Sequence, residues 1–225
     1  RALAGAEVVI HDRLVGDEVL ALAPPQAERV DVGKEGFGPS TPQRDINAIL
    51  VAAARRGLRV VRLKGGDCGV FGRLDEEIDV LQAAGLAFRI LPGLTTASVA
   101  AAAIGQSLTK RGRNSGLRIV TGHVMEGFAE QDWRGLARAG EVAAIYMGKK
   151  SARFLQGRLM MHGAAADTPV TVVENVSRPD QRILAATLAT LPAVVAETHG
   201  PAILLYGLAP RAAAPALNQL KEARA

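Results

Sequence analysis

Cysteine is almost absent. The 225-residue chain carries one, Cys68, which rules out an intramolecular disulfide framework and any multi-cysteine zinc site. With no helper motif beside it, Cys68 reads more readily as a passive loop residue than as a reactive thiol. Aromatic residues are scarce at 4%, and no aromatic RNA-stacking motif, zinc-finger spacing or run of five basic residues supports nucleic-acid binding. No window of about 18 uninterrupted apolar residues occurs and no basic-then-apolar leader is present, so neither membrane insertion nor secretion is expected and the chain reads as cytoplasmic. GxGxxG opening a helix and GxxxxGK[ST] are both missing, which disfavours a dinucleotide or phosphate-loop fold. His11, His123, His162 and His199 show no metal-ligand spacing, and no metal is expected.

What is present is enough apolar content, 48%, to bury a sizeable core as one large or two small domains. The 27 basic residues, most of them arginine, exceed 22 acidic ones and give a formal charge of +5. Arginine grips carboxylates and phosphates with a planar fork, so a polyanionic small molecule suits this balance. A bias of the genome toward arginine would give the same count.

Apolar periodicity alternates between strand and helix. Strands are expected at 7–10, 30–32, 60–63 and 88–91, and helices at 16–22, 42–56, 76–84 and 95–104, which is α/β layering with a mostly parallel sheet. The stretch KRGRNSG, 110–116, has no apolar periodicity and reads as a linker. Beyond it strands are expected at 117–121, 142–146, 170–174 and 202–206, a helix at 152–161, a polar-to-apolar segment at 183–191, and a frayed Ala-rich tail after Arg211. Two domains follow, 1–112 and 113–225, and a pair of that kind creates a cleft.

The richest stretch is Arg59 to Glu77, RVVRLKGGDCGVFGRLDEE. A strand running into Gly65-Gly66-Asp67 exposes bare backbone to a ligand and sets a carboxylate beside it, or simply reverses the chain. Asp12, after the first strand, reads as a general base or as a helix cap for Leu14 onward. Lys34 reads as a cation or acid facing an anionic substrate, or as a solvated loop lysine. Pro92-Gly93 before Thr95-Thr96-Ala97-Ser98 puts hydroxyls and free N–H groups at a helix start, where a polar ligand or plain capping would account for them. Arg73 and Glu76, three apart, orient a substrate or pair with each other.

The segments Asp12-Arg13-Leu14-Val15, Val32-Gly33-Lys34, VVRLKGGD ending at Asp67, Phe71-Gly72-Arg73, Pro92 to Ser98, Val120-Thr121-Gly122-His123, Tyr146-Met147-Gly148 and Val173-Glu174-Asn175 follow one another along almost the whole chain. In that order they resemble the uroporphyrinogen-III C-methyltransferase family, which includes the methyltransferase half of siroheme synthase. The resemblance implies a class III methyltransferase (tetrapyrrole methylase) fold: two α/β domains, S-adenosylmethionine in the cleft between them, and a homodimer. It also implies two methylations of uroporphyrinogen III at ring carbons, giving precorrin-2 for siroheme or cobalamin-type synthesis, with S-adenosylhomocysteine as the other product. The eight carboxylates of that substrate match an arginine-rich cleft.

By the same resemblance Asp12 is the proton acceptor and Lys34 the proton donor. Gly65, Gly66, Asp67, Val70, Thr95, Thr96, Met147 and Val176 surround the cofactor, and Arg73, Glu76 and Arg111 face the tetrapyrrole. The resemblance further implies a strand and a Gly-rich GAGPGDP turn ahead of Arg1, and allows for a fused dehydrogenase/ferrochelatase module upstream. Three departures stand out. Cys68-Gly69 replace Pro-Phe, Leu74-Asp75 replace two glycines, and Val176 stands where glycine is common. Rival readings are another precorrin methyltransferase, or a module that binds S-adenosylmethionine without turning it over.

Overall fold

The computed structural model describes residues 1–33, 41–124 and 127–211. They pack as two compact units, Arg1–Leu94 and a second from Thr95 onward.

In the first unit a short 3-10 turn, Leu3–Gly5, leads into β1 (Val8–His11), whose four residues are all buried. β1 is the centre of a three-stranded parallel sheet, with β2 (Glu28–Asp31) on one side and β3 (Val60–Leu63) on the other. The register sets Val8 opposite both Glu28 and Val60. Parallel strands are buried on both faces, which is why β1 reads as a continuous apolar run. On one face Val8 and Ile10 meet Ile46, Leu50 and Ala53 of α2 (Gln43–Arg55), a stripe at helical spacing. On the other, Val9 meets Ala6, Ala23 and Ala27, close to the single turn of α1 (Asp17–Leu20). The last helix of this unit, α3 (Leu74–Ala83), starts from Arg73 in the left-handed region and carries Asp75, Glu76 and Glu77 in its first turn, where acids complement the helix dipole.

The second unit is a five-stranded mixed sheet in the order β4-β7-β10-β8-β9. Its strands are β4 (Arg118–Thr121), β7 (Ala143–Tyr146), β8 (Pro169–Glu174), β9 (Arg182–Thr187) and β10 (Ala202–Tyr206). A small hairpin of β5 (His123–Val124) and β6 (Gly127–Phe128) follows β4. One face is covered by α4 (Thr96–Ala103), through Ala97 and Ala100 against Ala144, Val173 and Leu205. The other is covered by α5 (Trp133–Leu136), α6 (Ala152–Met161) and α7 (Leu191–Ala196), through Trp133, Leu155, Leu159 and Leu191. Among the described residues no helix is long and apolar enough to cross a membrane.

Five sequence expectations change. Only β4 and β7 pair in parallel in the second sheet; β10 and β9 run antiparallel to their neighbours, so "mostly parallel" describes the first unit alone. No strand forms at Phe88–Leu91, where strand-like side chains find no ladder partner and Phe88, Ile90 and Leu91 are exposed. The expected linker is a tight turn inside the second unit, closed by a Lys110–Asn114 bridge and by Asn114 Nδ2 donating to the carbonyls of Leu108 and Gly116. The break in packing falls after Leu94 instead of at 112, because α4 packs on the second sheet. The polar-to-apolar segment at 183–191 divides into β9, a turn held by Thr187 and Thr190, and the start of α7. The expected tail lies outside the described residues.

Candidate active site

In the first unit the strand ends converge. Asp12 follows β1, and its Oδ1 accepts the Leu14 N–H at 2.9 Å, closing a turn ahead of α1. The helix itself begins at Asp17 with Gly16 as its cap residue, so Asp12 is no helix cap; it shapes the DRLV turn. That turn lies against the glycine loop: a Cβ on Gly65 would stand 2.8 Å from Leu14 Cβ.

The loop after β3 is organised by Asp67. Its Oδ1 accepts the Gly69 N–H at 2.8 Å and its Oδ2 accepts the Gly93 N–H at 2.9 Å, so one carboxylate joins GGD to the PGL segment. A Cβ on Gly93 would collide with the Gly66 carbonyl oxygen, so the close approach of these two backbones requires glycine there. Downstream, Phe71 and Arg73 have φ of 53° and 54°, a region that costs non-glycine residues of order 1–3 kcal/mol and is held only where the surroundings impose it. Val70 is half-buried between them and Asp67. An open depression of about 360 Å³ is lined by Cys68, Gly69, Phe71, Arg73, Asp75 and Glu76.

Arg73 and Glu76 do pair. Nε and Nη2 each stand 2.7 Å from one carboxylate oxygen, a fork-to-fork contact with both side chains half exposed. The hydrogen bonds from Arg73 hold the Glu76 carboxyl below its usual range, and the same bonds raise the guanidinium. Beneath them, Glu77 is buried and takes Lys64 Nζ at 2.8 Å and Arg62 Nε at 3.1 Å.

In the second unit the Tyr146 hydroxyl does the assembling. It accepts the Ala97 N–H at 3.0 Å and shares a hydrogen bond with Thr95 Oγ1, so the start of α4 is tied to the end of β7. Met147, the residue after Tyr146, has φ of 53° and is exposed. Val176 packs with Tyr146 against the core under α4. Asn175, at φ 50°, precedes it, and Glu174 is buried with its carboxylate on the N–H groups of His199 and Gly200. Burial pushes the Glu174 carboxyl up, but those two donors, with Arg182 and Lys149 nearby, outweigh it and hold it below its usual range. Lys149 Nζ donates to the carbonyls of Thr198 and Gly200, at 3.1 and 2.6 Å, so the same turn is gripped by both signs of charge.

The structure thus gathers Asp12, Gly65, Gly66, Asp67, Val70, Arg73 and Glu76 in one unit, and Thr95, Thr96, Met147 and Val176 in the other. Arg111 sits exposed in the Lys110–Asn114 turn and makes no hydrogen bond or ion pair among the described residues. Lys34 lies outside the described residues. Sequence reasoning missed Tyr146, Glu77 and the Glu174–Lys149 grip. The tyrosine had a readable signal, because a phenol on a core strand needs a hydrogen-bond partner. The buried carboxylates had none, since their partners are remote in sequence.

This architecture and these loops define the class III methyltransferase fold. A profile of the Tetrapyrrole (Corrin/Porphyrin) Methylases matches residues 1–192, and the chain belongs to that family. It is 42% identical to Siroheme synthase 3 of Aeromonas hydrophila over 207 residues, 92% of this chain and 44% of that protein. A siroheme synthase of Thiobacillus denitrificans is 42% identical over 209 residues, again 92% of this chain and 44% of that protein. The chain therefore spans less than half the length of the curated relatives it matches. Among solved structures, uroporphyrin-III C-methyl transferase from Thermus thermophilus complexed with S-adenyl homocysteine superposes with a TM-score of 0.76 at 36% identity, covering 92% of this chain and 88% of that one. A cobalt precorrin-4 methyltransferase superposes with a TM-score of 0.79 at 24% identity, covering 92% and 85%, a likeness of fold.

Proposed function

We propose that the chain is an S-adenosylmethionine-dependent C-methyltransferase that methylates uroporphyrinogen III at two ring carbons, giving precorrin-2 for siroheme or cobalamin-type synthesis. The observation that carries this reading is the match, at 36% identity and over 88% of its length, to a uroporphyrin-III C-methyl transferase complexed with S-adenyl homocysteine.

The residues present fit such a cofactor. Gly66 is exposed and offers backbone without a side chain, the start of α4 offers two threonine hydroxyls, and Met147 and Asn175 hold left-handed backbone of the kind found at ligand sites. Cofactor contacts are proposed for Gly65, Gly66, Asp67, Val70, Thr95, Thr96, Met147 and Val176. When bound, the sulfonium supplies an electrophilic methyl group to an electron-rich pyrrole carbon. Asp67, with both oxygens already on Gly69 and Gly93, keeps the glycine loop open for that approach.

Asp12 is the proposed proton acceptor. One of its oxygens is committed to Leu14 while Oδ2 accepts no hydrogen bond among the described residues, which suits a fixed base with one free face. Lys34 is the proposed donor, with Arg73, Glu76 and Arg111 facing the tetrapyrrole. Arg73 spends Nε and Nη2 on Glu76, so the N–H groups of Nη1 remain to meet a carboxylate of the substrate. A homodimer, a cytoplasmic setting and an upstream dehydrogenase/ferrochelatase module belong to the same proposal; a native mass for the encoded protein well above twice 23.5 kDa would agree with the dimer and the module together.

The test is anaerobic incubation of the full-length encoded protein with uroporphyrinogen III and S-adenosylmethionine. The expected result is a dimethylated tetrapyrrole with two S-adenosylhomocysteine released per product. Cofactor binding without any methylated product would overturn the enzymatic reading.

A further inference from the structure

Two cations and one carboxylate are buried together behind the glycine loop. Glu77 is 3% exposed, and the side chains of Arg62 and Lys64 are 12% and 9% exposed. Arg62 and Lys64 are two apart on the chain leaving β3, and both reach Glu77 on α3. A single oxygen, Glu77 Oε1, receives Lys64 Nζ at 2.8 Å, Arg62 Nε at 3.1 Å and Gln43 Nε2 at 3.3 Å. The trio has one positive charge in excess.

Buried ion pairs are poor sources of stability, because an apolar substitute of similar volume avoids the desolvation of both charges. An unbalanced trio is poorer still. Its use is better sought in what it fixes. Lys64 is the residue directly before Gly65, and two successive glycines have no side chains by which the protein can hold them. Downstream the loop is pinned by Asp67 on Gly69 and Gly93. Upstream the pin is Lys64 on Glu77. Arg62 extends the same linkage to the other strand end: its Nη1 donates to the Ile10 carbonyl at 3.4 Å, two residues before Asp12, and to the Leu63 carbonyl at 3.0 Å.

We infer that Lys64 and Glu77 are positioning residues that set the Gly65–Asp67 backbone for cofactor binding, with Arg62 carrying the same restraint toward the strand end that bears Asp12. This rests on the proposed cofactor role of the GGD loop. Neither residue needs to touch the cofactor or the reacting atoms. A loop left free by about 1 Å is enough to lose up to a hundredfold in a site of this kind.

The experiment uses the full-length protein and the variants Lys64→Met, Lys64→Arg and Glu77→Gln. Lys64→Met leaves Arg62 and Glu77 as a one-to-one pair and so keeps the fold. It is expected to weaken S-adenosylhomocysteine binding about tenfold by calorimetry and to raise KM for S-adenosylmethionine, while kcat at saturation changes less than about twofold. Lys64→Arg, which retains a cation on Glu77, is expected to restore most of the affinity. In ligand-free protein, hydrogen exchange at the Gly69 and Gly93 amides, which donate to Asp67, is expected to quicken about tenfold in Lys64→Met and Glu77→Gln, with distant amides unchanged. A lower melting temperature with unchanged loop exchange would show a merely structural role and overturn the inference. Failure of the parent protein to bind S-adenosylhomocysteine would count against the proposed function, and the exchange measurement would still decide the loop claim.

Discussion

Asp12 carries the sharpest residue-scale prediction. Its Oδ1 is anchored by the Leu14 N–H and its Oδ2 accepts no hydrogen bond among the described residues, so Asp12→Ala is expected to lower kcat about 10²–10⁴-fold while S-adenosylhomocysteine affinity stays within about twofold. Equal losses in binding and turnover would instead make Asp12 a shaper of its turn. Tyr146→Phe removes the acceptor of the Ala97 N–H and the partner of Thr95. It is expected to cost about 1–2 kcal/mol in denaturant unfolding and to weaken cofactor binding through α4. Glu174 gives the pH dependence. Its folded carboxyl titrates below the usual 4.5, so its ionised form stabilises the fold at neutral pH, and that contribution fades as pH falls from about 4.5 through the depressed value. The melting-temperature gap between the parent and Glu174→Gln should therefore be positive at neutral pH and close in acid; a constant gap would refute the assignment.

At the scale of elements, the junctions matter more than the strands they join. Gly93→Ala sets a Cβ against the Gly66 carbonyl, backbone against backbone, and is expected to cost about 1–3 kcal/mol and to weaken cofactor binding by displacing the GGD loop. Unfolding and calorimetry on one preparation would separate the two effects. Elements with a strong local pattern were legible in the sequence: β3 and α6 have the expected bounds, and α2 differs by one residue at each end. Elements that depend on a partner were not. Phe88–Leu91 has strand chemistry and no ladder, and β9 hides in a segment whose pairing with β8 no local period announces. α3 starts two residues earlier than its apolar spacing suggests, because Arg73 takes a left-handed conformation that no propensity favours. The candidate site was legible for the same reason as the loops: GGD, PGLTTAS and YMG mark themselves by glycine and hydroxyls at strand ends. What tensions them, Glu77 under Lys64 or Glu174 under the His199–Gly200 turn, is joined across 13 to 26 residues and appears only once the chain is folded.

For the whole molecule, the proposed substrate makes a prediction about charge. A basic, arginine-rich chain in a tetrapyrrole methylase fold suits a polycarboxylate, and electrostatic attraction over distance predicts that KM for uroporphyrinogen III rises with ionic strength while KM for S-adenosylmethionine changes little. Salt-independent KM for the tetrapyrrole would remove the charge argument. The central claim is that methyl groups move from S-adenosylmethionine to ring carbons of uroporphyrinogen III. It is tested most directly by supplying the full-length protein with S-adenosylmethionine labelled with ¹³C at the methyl group and recording the carbon spectrum of the product. Two labelled methyl groups bonded to ring carbons are expected. Label found in methyl esters of the side-chain carboxylates, or no label in the tetrapyrrole while S-adenosylmethionine is bound, would contradict it.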